Sequence, residues 1–418
     1  MNQSPFRVFM ALLSSGLLLL ALGCSSSSIS PTSPSSPSGP APTGPNVLAI
    51  SVNTGPTEAA GDGPYTNGAF TSVTVCVPGS TTQCQTISGV LIDTGSSGLR
   101  ILSSALTLSL PQQVDSNNNA IAECAPFASG VTWGPVQTAD VSISGETAAS
   151  LPIQVIGAAS PPMPVACADE GSSADSLDTL GANGILGIGV FPQDCGSGCA
   201  PGTTSNLDFY YTCPAAGCQV TTEALSAQIT NPIVLFTTDN NGSIVELPSV
   251  PAATAEASAN GYLVFGIGTE SNNGLGSATI YGVDTTYGNF TTIFDDTSFT
   301  DAGFVDLGSN ALYFDPVSSG LANTECGDAP FWYCPGANTA FTAENEGITN
   351  GTSGTVSFTV ADADEFIDNA ADNNDAVING LAGPFTGYFD WGMPFFFGLN
   401  VYTAIAGQSA AGAPYVAY

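Results

Sequence analysis

The chain has 418 residues, enough for about two ordinary domains or one large two-part unit. Lys and Arg total 2, Arg7 and Arg100, against 35 Asp and Glu and no His, for a formal net charge of -33. That balance excludes nucleic acid as a partner, since nothing could neutralise phosphates. It also excludes Ser-His-Asp and Cys-His catalysis, His-based zinc centres, Schiff bases and phosphate-loop lysines. Carboxylates remain as the available acids and bases. A surface so rich in them repels itself least when they are protonated, which fits exposure to low pH, as it also fits charge kept for solubility.

Arg7, an apolar run from Val8 to Leu22 and then Gly23-Cys24 read as an export signal over residues 1–23. The small residue before Cys24 and the Ser run after it resemble a bacterial lipoprotein signal, which implies lipidation of Cys24 and anchoring to a membrane on the periplasmic or outer side. Residues 24–46, almost all Ser, Pro, Gly, Thr and Ala, read as a disordered tether. Eleven cysteines less Cys24 leave ten, an even number suited to five disulfides in an oxidising compartment. Proximity suggests Cys76 with Cys84, Cys195 with Cys199, Cys213 with Cys218 and Cys326 with Cys334, leaving Cys124 and Cys167. No metal or other cofactor is expected.

From Val47 the pattern is strand and turn. Val47 to Val52, Phe70 to Val77 and Gln85 to Ile92 are predicted strands. Phe127 to Ile143 follows with Gly130 and Trp133-Gly134 as hairpin punctuation, and then Leu151 to Ile156. Gly181 to Val190 is apolar and studded with glycine, as where backbones pass closely. Cys195 to Cys218 reads as an irregular pinned loop. A second strand series is expected from Asn231 to Phe236 through Gly242 to Leu247, Tyr262 to Gly266, Ala278 to Tyr281, Asn289 to Phe294 and Thr355 to Val360. Ala361 to Asp375 is an acidic loop or short helix, and Phe389 to Ala404 an apolar, aromatic segment. Short strands without alternating helices predict an all-β fold.

Two stretches stand out. Val90 to Leu102 places Asp93 after an apolar strand and before Thr94-Gly95-Ser96. Gly303 to Phe314 repeats the pattern, since aligning Asp306 with Asp93 brings Gly308 onto Gly95, Ser309 onto Ser96 and Leu312 onto Leu99. Two such turns suggest two lobes, each donating one Asp. Asp315 is a weaker partner, because Pro316 removes a backbone donor and Val317 stands where Gly is needed.

Ile92-Asp93-Thr94-Gly95-Ser96-Ser97 resembles the first active-site loop of the pepsin-like aspartic proteases, and Val305-Asp306-Leu307-Gly308-Ser309 the second. Asn183 to Gly189 and Tyr388 to Gly392 are similar to the family's apolar-apolar-Gly stretches. The resemblance spans Val47 to Tyr418 and suggests a divergent, lipoprotein-type bacterial member. It implies a bilobal fold of two β-barrel-like lobes with a central cleft, the lobes being residues 47–230 and 231–418. It also implies catalysis by Asp93 and Asp306, support from Thr94, Gly95, Ser96, Gly308 and Ser309, and a covering hairpin carrying Phe127 and Trp133. Three positions depart from the family: Leu307 where a hydroxyl residue is usual, Phe127 where Tyr is, and Arg100 where a bulky aromatic is.

The function so implied is an exported, membrane-tethered aspartic endopeptidase, a monomer acting on a peptide or protein in acid. The alternative is an inactive surface lipoprotein of the same fold that binds such a ligand, for which Leu307 and Phe127 speak. A two-carboxylate glycoside hydrolase is chemically open, but 3 Trp are few for sugar stacking.

Overall fold

The computed structural model describes residues 41–418 apart from 57–64, 205, 316–320, 322–323, 327–330 and 367–374. Cys24 and the expected signal and most of the tether lie outside the described residues, as does part of the acidic stretch. Runs of β-branched and aromatic residues between Gly, Pro and Asn turns form the strands. The first half carries β1 (Val47–Asn53), β2 (Gly68–Cys76), β3 (Cys84–Asp93), β4 (Ser97–Leu102), β5 (Ala120–Phe127), β6 (Gly130–Ile143), β7 (Glu146–Ile156), β8 (Gly184–Ile188), β9 (Tyr210–Cys213) and β10 (Gln219–Thr221). The second carries β11 (Gly242–Glu246), β12 (Thr254–Glu256), β13 (Ala259–Phe265), β14 (Ile280–Gly282), β15 (Phe290–Phe294), β16 (Thr297–Val305) and β17 (Leu312–Phe314). After these come β18 (Thr339–Glu346), β19 (Ser353–Val360), β20 (Val377–Asn379), β21 (Ala382–Pro384), β22 (Phe389–Trp391), β23 (Asn400–Ala404) and β24 (Tyr415–Ala417). The protein is all-β, as its sequence predicts.

In the larger sheet β6, β7, β4, β8, β3 and β2 follow one another, and pairing of β2 with β6 closes these six into a barrel. The second half builds a seven-stranded sheet, β19-β18-β15-β16-β22-β17-β21, that curves into a half-barrel. The halves are not separate in their hydrogen bonding. β1 pairs with β13 from Val47 opposite Val264 to Val52 opposite Ala259, so the larger sheet runs through the boundary expected at residue 230.

One local topology occurs twice. β8 lies between β3 and β4, parallel to the first and antiparallel to the second, so the Asp93 turn wraps around its end. β22 lies between β16 and β17 in the same sense, beneath the Asp306 turn. The wrap demands glycine where backbones cross. A Cβ on Gly187 would stand 2.8 Å from the Ser97 backbone, and one on Gly392 only 2.0 Å from the Ala311 carbonyl.

Two local expectations are corrected. Pro232–Leu235 is a 3₁₀ turn rather than a strand, started by Pro232 with the Asn231 side chain capping the Ile233 amide. Trp133 and Gly134 lie inside β6, and the hairpin turns instead at residues 128–129, with Phe127 paired to Gly130. β5 itself, an Ala-rich and Pro-containing run, is drawn into the sheet by β6 and β9. All ten cysteines of the described chain are bonded: the four local pairs, and Cys124 with Cys167.

Candidate active site: a carboxylate pair

Asp93 ends β3 and Asp306 follows β16, and the two turns meet face to face. A Cβ on Gly95 would lie 2.7 Å from the Asp306 carboxyl, and one on Gly308 2.8 Å from Asp93 Oδ1, so only glycine lets each turn approach the other's acid. Each carboxyl thus lies against the other's glycine turn, close enough for the Asp93 charge to bear on Asp306. Asp315 stands beyond β17 and is not their partner.

Each acid is held in the same way. The Gly95 amide donates to Asp93 Oδ1 at 2.7 Å and the Ser96 hydroxyl to Oδ2. The Gly308 amide donates to Asp306 Oδ1 at 2.7 Å and the Ser309 hydroxyl to Oδ2 at 3.0 Å. These four donors fix both carboxyl planes and favour negative charge. Burial and the Asp93 charge act the other way and outweigh them at Asp306, which holds its proton well above the usual carboxylate range.

Thr94 locks the turns together beneath the acids. Its hydroxyl donates to the Val305 carbonyl at 3.3 Å and accepts the Leu307 amide at 2.8 Å. Leu307 supplies no hydroxyl in return and is fully buried in the apolar core.

Residues that local motifs did not flag complete the surroundings. Tyr65 packs edge-on against Phe70, and burial followed by the Asp93 and Asp306 charges pushes its phenol up. Tyr313, whose hydroxyl donates to Asn310 Oδ1 at 2.6 Å, is pushed up by burial, Asp390 and then Tyr65 and Asp306. Asp390 is itself buried, between Phe304 and Tyr313 on the neighbouring strands. Asn67 ties the halves together beside the site, its amide donating to the Asn310 and Ile378 carbonyls at 2.8 Å each. Only the Tyr-Thr-Asn-Gly turn signal at residues 65–68 could have drawn attention to this loop.

The two residues expected on a covering hairpin part company. Phe127 is half-buried at the tip of the β5–β6 hairpin, its ring centroid 5.6 Å from the Arg100 guanidinium. Trp133 is buried lower in the hairpin against Tyr211, donating its indole N–H to the Pro161 carbonyl at 2.8 Å. Arg100 is buried behind the first turn. It donates to the Ser97 carbonyl at 3.0 Å, to Glu123, and to Asp194 Oδ2 at 3.2 Å, while the Tyr210 hydroxyl donates to Asp194 Oδ1 at 2.7 Å. One cation between two buried acids does not lower both, and burial and the Glu123 charge hold Asp194 well above the carboxylate range.

Fold and site together define an all-β protein with a paired-carboxylate centre. Residues 42–418 match the model of a family described as protein of unknown function (DUF3443), and the chain belongs to that family. This corrects the membership among pepsin-like aspartic proteases implied by the Asp93 and Asp306 loops. Turns of the form Asp-x-Gly-Ser and apolar-apolar-Gly stretches specify how a carboxylate is held at a strand end, and such short patterns do not fix the family of a whole chain. No curated protein matches the sequence.

Proposed function

We propose that the chain is a peptide hydrolase of the aspartic type, in which Asp93 and Asp306 activate a water between them in acid. The observation that carries this reading is the symmetric carboxyl pair, each acid set against the other's glycine turn and held by one amide and one hydroxyl on its own side. Close together and without a cation of their own, the two acids share one proton. The ionised member takes a proton from water as its oxygen attacks the peptide carbonyl, and the protonated member donates to the carbonyl oxygen. Proton transfer to the amide nitrogen then accompanies C–N cleavage and restores the pair. The twice-occurring wrap of a strand end by an Asp turn supports a bilobal, pepsin-like arrangement with a substrate cleft over the pair.

Five disulfides support an oxidising compartment, and export with a lipid on Cys24 belongs to the same proposal. Among the described residues no helix is long and apolar enough to cross a membrane. The purified chain is expected to cleave a denatured protein at acid pH, and a pepstatin-type inhibitor to block it. Asp93→Asn is expected to abolish cleavage, and full activity in that variant would overturn the reading. Leu307 favours a second reading, a peptide-binding protein without catalysis, which predicts retention of peptides and no cleavage from acid to neutral pH.

A further inference from the structure

The hairpin expected to cover the pair is fastened to the Asp93 turn through one cation. Arg100 on β4, the strand that leaves the turn, donates through Nη1 to the Ser97 carbonyl at 3.0 Å, and through Nη2 both to Glu123 on β5 and to Asp194 Oδ2 at 3.2 Å. Its guanidinium also faces the Phe127 ring at the hairpin tip. Tyr210 on β9 completes the cluster, donating to Asp194 Oδ1 at 2.7 Å and accepting the Ile229 amide at 2.7 Å. The Arg100, Glu123 and Asp194 side chains are 2%, 0% and 3% exposed.

Both acids draw on the same nitrogen, and among the described residues neither Arg100 Nε nor Glu123 Oε2 has a hydrogen-bond partner. Neither acid therefore has the two-point fork with which a guanidinium binds a carboxylate most strongly. Arg100 is the one Lys or Arg among the described residues. With both acids ionised the enclosure carries an uncompensated negative charge, and with one proton between them it is neutral. The charged and titratable groups facing Asp194 are Arg100 from β4, Glu123 from β5 and Tyr210 from β9; burial and then the Glu123 charge keep its proton in place well above the usual carboxylate range.

We propose that this cluster is a proton-dependent clasp: with one proton it holds β5 and the Phe127 tip against the Asp93 turn, and without it the enclosed negative charge loosens them. By linkage, an acid that binds its proton more tightly in the closed cluster than in the open one favours closure in acid, and that preference is lost as pH rises through the closed-state value. The clasp goes beyond the hydrolase reading and does not depend on the chemistry of Asp93 and Asp306.

Hydrogen exchange of the full chain, followed over β5 (Ala120–Phe127) from pH 4 to pH 7 and corrected for the intrinsic rate, tests the clasp. In the wild type the protection of these amides is expected to fall about tenfold, the factor for one pH unit above the closed-state value, while β18 (Thr339–Glu346) keeps its protection. In Asp194→Asn, whose cluster pairs one cation with one anion at every pH in this range, the fall over β5 is expected to stay within about twofold. Glu123→Gln removes the same charge from the hairpin side and supplies the measurement should Asp194→Asn fail to fold. A tenfold fall that persists in the folded variant, an equal fall at β18, or no fall in the wild type overturns the inference. Asp93→Asn is expected to keep the wild-type response of β5, and its loss there would overturn the clasp as a device separate from the carboxyl pair.

Discussion

The Leu307 amide donates to the Thr94 hydroxyl at 2.8 Å, and this bond joins the two halves of the chain directly beneath the paired acids. Thr94 passes the connection on by donating to the Val305 carbonyl at 3.3 Å. One hydroxyl therefore satisfies two backbone groups of the opposite turn. A side chain at residue 307 is not required for either bond, which is how an apolar residue is accommodated at a position where the resemblance led one to expect a hydroxyl.

Thr94→Ala strands the Leu307 N–H in an apolar enclosure, and an unsatisfied buried donor costs about 1–3 kcal/mol. Thr94→Ser keeps the hydroxyl and is expected to lose much less. Urea unfolding of the two variants at acid pH checks this, and equal losses would mean that the methyl, not the bond, stabilises the junction.

Asp93→Asn is expected to change how stability depends on pH. The Asp306 pKa is raised in the folded protein by burial and then by the Asp93 charge. The stability linked to its proton is complete below the unfolded value of about 3.9 and is lost as pH rises through the folded one. Removing the Asp93 charge lowers the folded value and reduces that loss. The Tm difference between Asp93→Asn and the wild type should therefore grow in favour of the variant from about pH 4 to pH 7. A constant difference across that range would show that the two carboxyls do not interact.

Arg100 presents the opposite case, a buried cation with two acids. Its Nε and Glu123 Oε2 already lack partners, so the cluster is incompletely satisfied as it stands. Arg100→Met leaves Glu123 and Asp194 buried without a cation, and breaking a buried pair in this way costs about 3–5 kcal/mol. Arg100→Lys should recover little, because a single ammonium cannot reproduce the fork that reaches Ser97, Glu123 and Asp194. Adding Glu123→Gln and Asp194→Asn to Arg100→Met is expected to restore part of the loss. Chemical unfolding of the series measures each step.

How the site was legible follows from which features are local. Asp93 and Asp306 lie in contiguous patterns of strand, acid and glycine turn, and the repetition of the pattern announces a pair. The four local disulfides were equally readable, and Cys124 with Cys167 followed as the remainder. Asp390 carries no such pattern: Phe-Asp-Trp-Gly reads as an aromatic strand, and only the register of β22 against β16 and β17 brings its carboxyl to the centre. Tyr65 packs against its sequence neighbours Gly68 and Phe70 and against Gly181, the last a contact that no short window contains. Asn231 to Phe236 is apolar enough for a strand, but Pro232 lacks an N–H and favours the start of a turn. Family membership was misread for a related reason, since a strand-end carboxylate motif reports geometry and not descent.

Gly95→Ala separates the chemistry from the fold. The backbone of Gly95 does not lie in the left-handed region, and the residue is exposed, so alanine adds little conformational strain. Its methyl would nevertheless stand 2.7 Å from the Asp306 carboxyl and must push the acid aside or part the two turns. A displacement of about 1 Å in a reacting group can cost roughly 100-fold in rate. Gly95→Ala is therefore expected to lose about that factor in kcat while its stability changes by less than about 1 kcal/mol. Gly308→Ala should do the same from the other side, its methyl meeting Asp93 Oδ1 at 2.8 Å. Peptide hydrolysis and thermal unfolding, measured on the same preparations, decide the matter. Full activity in both variants would show that the acids need not approach each other for the reaction, and the shared proton would then have no part in it.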